Sequence, residues 1–210
     1  MTAMVAATLA AGSRLLSGAT VHWNCDPYAA RQRIYFANHS SHLDFVVIWS
    51  ALPSSQRRLA RPVAGSDYWQ NGSVRRFLAE QVFHAVLVDR PTPCATKSPA
   101  AARASIDRIA EQMGSSYSLI VFPEGTRSVA NEIGQFKSGL YHLSRVRPDA
   151  ELIPVFLENL NRILPKGEVL PVPMLSRVVF GAPLTARANE EKYEFLARAR
   201  SALLQLGEHR

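Results

Sequence analysis

Residues 37–44 read Ala-Asn-His-Ser-Ser-His-Leu-Asp and run directly into the apolar stretch Phe-Val-Val-Ile-Trp. Imidazole, hydroxyl and carboxylate groups this close together can move protons. On a continuous α-helix His39 and Asp44 would be rotated apart by about 140°, so they meet only if they straddle a helix start. Ser41-His42-Leu43-Asp44 supplies such a start as a capping box, with the Ser41 hydroxyl on the Asp44 amide and the Asp44 carboxylate on the Ser41 amide. That arrangement explains Asp44 as a helix cap alone. The same geometry lets His39, in the turn after a strand, fold back so that Nδ1–H meets Asp44 and Nε2 is left as a general base. No Gly-x-Ser-x-Gly elbow accompanies the pair, so the nucleophile is expected on the substrate. The remaining histidines are expected to be structural or exposed, with His42 nearest the site.

A second constellation lies in Tyr-Ser-Leu-Ile-Val-Phe-Pro-Glu-Gly-Thr-Arg-Ser, residues 117–128. A buried strand exits into a polar turn there, which is where α/β domains place ligands. Gly125 lets the backbone approach a ligand closely, Thr126 offers a hydroxyl, and Arg127 offers a planar fork suited to phosphate. Glu124 fits beside that arginine by orienting it or a substrate hydroxyl. A tight turn with a surface ion pair is the alternative. Val-Leu-Val-Asp-Arg-Pro, residues 86–91, repeats the pattern, and Arg90 and Arg127 could converge on one phosphate.

These residues need elements to hold them. Periodicity predicts strands at 33–37, 59–65, 84–89, 117–122, 151–157 and 177–181. Helices are predicted over 44–52 (stopped by Pro53), 68–83 (with a weak point at Gly72), 99–113, 136–146 and 189–206. The alternation predicts an α/β domain with a central, mostly parallel or mixed sheet flanked by helices. No repeat or low-complexity linker divides the chain. Residues 1–210 are expected to form one domain, and 164–174 an ordered surface loop.

Composition bounds the partners. The 210 residues are 47% hydrophobic and 20% charged, which excludes disorder, and 20 of the 24 basic residues behind the net charge of +7 are arginine. Such a charge favours anionic partners: phosphorylated metabolites, anionic lipids or nucleic acid. Nucleic acid is disfavoured because the arginines are scattered in ones and twos without interleaved aromatics. Cys25 and Cys94 stand apart from each other and from any His spacing, so no metal site or disulfide framework is expected, and a reducing compartment is favoured. The uncharged stretch before Arg14 is shorter than the roughly 20 apolar residues a membrane span needs, and it lacks the basic start of a secretory signal. Residues 1–18 therefore have two placements, a helix on the domain or one lying along a membrane surface.

Asn-His-Ser-Ser-His-Leu-Asp resembles the NHxSxxD block of the glycerolipid acyltransferases, the family that contains 1-acylglycerol-3-phosphate acyltransferase. Phe-Pro-Glu-Gly-Thr-Arg-Ser is similar to its FPEG(T/S)RS block, Val-Asp-Arg to its second block and Leu152-Ile153-Pro154-Val155 to its late apolar-Pro block, in family order across about 34–156. The resemblance implies a glycerol-3-phosphate acyltransferase-like fold and transfer of a fatty acyl chain from acyl-CoA or acyl carrier protein to a lysophospholipid hydroxyl, with no cofactor or metal. The acceptor it points to is 1-acylglycerol-3-phosphate. Alternatives are a lyso-ornithine lipid, lysophosphatidylglycerol, or a non-catalytic lipid- or phosphate-binding role. His39 would be the base and Asp44 its partner, with Arg90, Glu124, Gly125, Thr126 and Arg127 around the acceptor and Lys137 an additional phosphate candidate. Pro154 would shape the neighbouring strand along the acyl path. The expected location is the cytoplasmic membrane face, peripheral or monotopic, against anionic lipids and without a spanning helix. Two departures from the family pattern stand out: Val-Phe-His-Ala-Val-Leu precedes Val-Asp-Arg where a glycine is common, and the N-terminal apolar segment is short.

Overall fold

The computed structural model describes residues 2–41, 43–89, 98–128, 132–160 and 175–208. His42, Arg90, Cys94, His209 and the 164–174 loop lie outside the described residues. The strands are β1 (Thr20–Trp23), β2 (Arg33–Ala37), β3 (Ala60–Gly65), β4 (Val86–Val88), β5 (Ser118–Val121), β6 (Glu151–Glu158) and β7 (Arg177–Phe180). The helices are α1 (Thr2–Ser17), α2 (Asp44–Ala51), α3 (Ser54–Leu59), α4 (Ser66–Trp69), α5 (Ser73–Phe77), α6 (Pro99–Met113), α7 (Gly139–Val146) and α8 (Lys192–Glu208).

Seven strands make one sheet in the order β1-β7-β6-β2-β5-β3-β4. Pairing is parallel except between β6 and β7, so β7 and β1 run against the other five. All five residues of β2 are buried, as suits a central strand covered on both faces. Successive side chains alternate between two cores. Tyr35, Ile120 and Ile153 face the first core beneath α1 and α2; Ile34, Phe36, Leu119 and Leu152 face the second beneath α6, α7 and α8. Each fully buried side chain of this kind contributes roughly 1.5–3 kcal/mol.

The mixed α/β architecture agrees with the sequence expectation. The short edge strand β1 and helix α3 were not anticipated. The predicted helix over 68–83 is instead α4, α5 and a π-helical turn at Leu78–Val82, broken where Gly72 takes φ 100°. Helix α1 lies on the domain: Val5, Ala6, Leu9 and Ala10 pack on the first core, and Arg14 Nε donates to the Ser50 carbonyl at 2.8 Å. Its opposite face, at residues 4, 7, 8, 11 and 15, is exposed. Cys25 is an unpaired thiol, and burial pushes its pKa up.

Where β7 ends, the Gly181 N–H donates to the Pro154 carbonyl at 2.8 Å, and a Cβ at Gly181 would stand 2.7 Å from Pro154 Cγ and 3.0 Å from Leu206 Cδ1. The leucine can rotate away, but the proline ring, fixed in β6, cannot. Gly181→Ala is expected to destabilise the fold by about 1–3 kcal/mol. A lower urea midpoint at unchanged m would show it.

Candidate active site

Strand β2 delivers the first group of site residues. Beyond its last ladder pair, the Asn38 carboxamide acts as a further rung: Nδ2 donates to the Leu157 carbonyl and Oδ1 accepts the Leu157 N–H, both at 2.8 Å. His39 follows with both backbone groups held by the loop after β5. Its N–H donates to Glu124 Oε1 and its carbonyl accepts the Ser128 N–H, each at 2.8 Å. The imidazole stacks on Phe122 with centroids 4.2 Å apart and planes inclined by 21°.

Asp44 completes the pair. It is fully buried at the start of α2, and its Oδ2 lies 2.8 Å from His39 Nδ1 while accepting the Ser40 N–H at 2.6 Å and the Ser41 N–H at 2.9 Å. An oxygen already receiving two amides serves the imidazole as an acceptor, so Nδ1 is the donor, and in the neutral ring Nε2 carries the lone pair. Only half of the expected capping box forms. Ser41 Oγ accepts the Leu43 N–H at 3.2 Å instead of the Asp44 amide, which faces the Ser41 carbonyl at 3.4 Å. The helix starts at Asp44 with Leu43 in the capping position, two residues nearer the carboxylate than a capping box requires.

The loop after β5 supplies the second group. Gly125 takes φ 70°, and a Cβ there would meet Lys137 Nζ at 2.6 Å, so the lysine side chain lies against the bare glycine backbone. Lys137 precedes α7 instead of lying in it as expected; its amide donates to the Pro123 carbonyl at 2.8 Å. Thr126, Arg127 and Lys137 line the same cavity as His39, a space of about 570 Å³ walled by apolar side chains of β3, β4, α6 and α7. Arg127 Nη1 is buried without a hydrogen-bond partner among the described residues. Glu124 sits behind His39: it is 6% exposed and places its second oxygen on the Gly134 N–H at 2.9 Å. Pro154 is buried in β6 against Gly181 and is not among the residues lining the cavity. Arg90 lies outside the described residues, although Val88 just before it lines the cavity.

Sequence reasoning assigned no role to Asn38 or Phe122, yet each opens a block that carried the signal. A model of the Acyltransferase family matches residues 20–158. The chain belongs to that family. Among curated proteins this chain is 28% identical over 168 residues to the 1-acyl-sn-glycerol-3-phosphate acyltransferase of Limnanthes alba, covering 76% of this chain and 53% of the relative. It is 29% identical over 156 residues to the protein of the same name from Limnanthes douglasii, covering 70% and 49%. The chain thus spans about half the length of the curated relatives it matches. The crystal structure of the 1-acyl-sn-glycerophosphate (LPA) acyltransferase PlsC from Thermotoga maritima shares the fold, with a TM-score of 0.73 at 18% identity over 99% of this chain and 80% of that one.

The shared Asp44 oxygen generates a prediction. Asp44→Asn keeps the size and one acceptor but gives up the charge behind three hydrogen bonds, so stability should fall by about 1–3 kcal/mol. Turnover should fall by more, about a hundredfold, because an amide can hold the imidazole in the wrong tautomer. Melting curves recorded beside kcat test this: a large loss of kcat in a folded protein is the expected outcome, and an unchanged kcat would leave Asp44 as a helix start only.

Proposed function

We propose that this protein transfers a fatty acyl chain from an acyl thioester, acyl-CoA or acyl carrier protein, to the free hydroxyl of 1-acylglycerol-3-phosphate, giving phosphatidate. The observation that carries the reading is the His39–Asp44 contact at 2.8 Å, with His39 lining a cavity shared by Arg127, Lys137 and apolar walls. His39 Nε2 takes the proton of the acceptor hydroxyl as its oxygen attacks the thioester carbon. The tetrahedral intermediate then collapses, the carbon–sulfur bond breaks, and the thiolate takes the proton back from His39. The acceptor assignment is supported by the names of the curated relatives and by the two basic side chains, Arg127 and Lys137, that line the cavity with His39. A planar fork next to an ammonium suits a phosphate monoester.

The deciding experiment supplies the protein with labelled oleoyl-CoA or oleoyl carrier protein and vesicles carrying a panel of lysolipids, with products identified by mass spectrometry. Phosphatidate as the main product is expected, and His39→Ala should reduce it by about 10² to 10⁴. Preferred acylation of lyso-ornithine lipid or lysophosphatidylglycerol would reassign the acceptor. Arg127→Lys keeps the charge but loses the fork, so the acceptor KM should rise about tenfold while the thioester KM stays within twofold. Movement of the thioester KM alone would transfer this loop to the donor.

We further infer that α1 faces a membrane, at the cytoplasmic surface where acyl thioesters are available. No helix among the described residues is long and apolar enough to cross one. Met4 is 77% and Leu15 83% exposed, and the two lie only about 20° apart around the helix. Ala7, Thr8 and Ala11 lie between them, so the exposed face carries no charge until Arg14 beside its end. Replacing both Met4 and Leu15 by Glu should weaken flotation with anionic vesicles while leaving the melting temperature within a few degrees. Equal flotation would place the contact elsewhere.

A further inference from the structure

The hydrogen bonds around Glu124 continue past the motif loops. Ile133 is buried in the second core, and the peptide unit that joins it to Gly134 is gripped at both edges. On one edge the Gly134 N–H donates to Glu124 Oε2 at 2.9 Å. On the other, Arg200 Nη2 donates to the Ile133 carbonyl at 2.6 Å, while Nε reaches that carbonyl at 3.1 Å and the Gly134 carbonyl at 3.0 Å. Because a peptide unit is planar and rigid, orienting its carbonyl also orients its N–H. A cation on the carbonyl and a carboxylate on the N–H polarise the unit in the same sense. The far oxygen of that carboxylate holds the His39 amide at 2.8 Å. Arg200 lies on α8, outside the residues 20–158 matched by the family and outside every motif block.

We propose that Arg200 is a positioning residue for His39, acting through the Ile133–Gly134 peptide and the Glu124 carboxylate. The proposal rests on His39 being the base, so one of its tests does not depend on acyl transfer. Gly134 supplies an independent handle, since a Cβ there would come within 3.0 Å of Glu124 Oε2 while leaving the carbonyls that Arg200 holds in place.

The full chain labelled with ¹⁵N-histidine reports the His39 ring without substrate, its Nδ1–H signal assigned by loss in His39→Ala. Arg200→Ala should shift that signal and speed its exchange with solvent about tenfold. The kcat should fall roughly tenfold to a hundredfold, with the acceptor KM within twofold, because the geometry of the base changes and the anion site does not. Arg200→Lys should fall between the two. In a Glu124→Gln background, Arg200→Ala should lower kcat by less than a further twofold, since both changes break one path. An unchanged His39 signal, or losses that multiply in the double variant, would overturn the proposal and leave Arg200 as a brace for α8. If Arg200→Ala does not fold, Gly134→Ala makes the same test from the other side of the peptide, and an unaltered His39 signal there is equally decisive against it. A wild-type protein with an intact Nδ1–H signal but no transferase activity would defeat the functional reading and not this one.

Discussion

The parallel pairing of β2 with β5 is the constraint on which both the fold and the site depend. Phe36 is opposite Val121, so His39 and Glu124 each leave the sheet three residues beyond a matched pair. That equal offset puts the His39 amide within reach of a carboxylate arriving from the neighbouring strand. A slip of one residue would exchange the faces of every side chain on β2, turning Tyr35 toward the second core and Ile34 and Phe36 toward the first. Hydrophobic burial thereby enforces the register that the dyad needs. The loop after β5 is tied to β2 a second time, through the Ser128 amide on the His39 carbonyl, so His39 has little backbone freedom left.

Much of this was legible in the sequence because it is local. The central strands are continuous apolar runs, the spacing of His39 and Asp44 demanded a helix start between them, and the polar turn after 117–122 announced a ligand-binding exit. What was hidden depends on tertiary partners. Four residues at Thr20–Trp23 are too few to show a period, and they become a strand by pairing with β7 and stacking Trp23 on Phe180. The reversal of β7 relative to β6 leaves no mark in either strand. The helix predicted over 68–83 does break at its weak point, Gly72, where φ is 100°, but the π-helical turn at Leu78–Val82 leaves no mark in the sequence. Glu124 shows the limit most clearly. Next to Arg127 its charge suggested a part in ligand recognition, whereas its position relative to β2 turns the carboxylate toward two backbone amides.

The site joins two kinds of surface that a lipid substrate also joins. Arg127, Lys137 and Thr126 bring donors and positive charge to a cavity whose other walls, apart from His39 and Asp67, are mainly aliphatic and aromatic. In such surroundings an unpartnered guanidinium donor is costly, because its hydration is lost without replacement. The same walls favour a hydrocarbon chain next to the charge. A soluble phosphate metabolite would satisfy the arginine but leave the apolar part of the cavity unused.

In the proposed reaction the acceptor hydroxyl is the nucleophile and His39 the base, and Asp44 is what positions that base. One carboxylate oxygen receives the imidazole and two consecutive backbone amides, while the other is buried without a partner among the described residues. Leaving one oxygen bare costs stability, but it concentrates the hydrogen bonding on the oxygen that faces His39. When His39 accepts a proton, the Nδ1–H···O bond becomes fully charge-assisted, and the acceptor is already in position. The amides that start α2 therefore do the reorganising work in advance, at folding, when the chain orders Ser40 and Ser41 around the carboxylate. A substrate hydroxyl is a poor nucleophile whose proton must leave as the carbon–oxygen bond forms. A base fixed by its ring, its amide and its carbonyl at once suits that demand, and it requires the helix start and the proton-transfer pair to share a single atom.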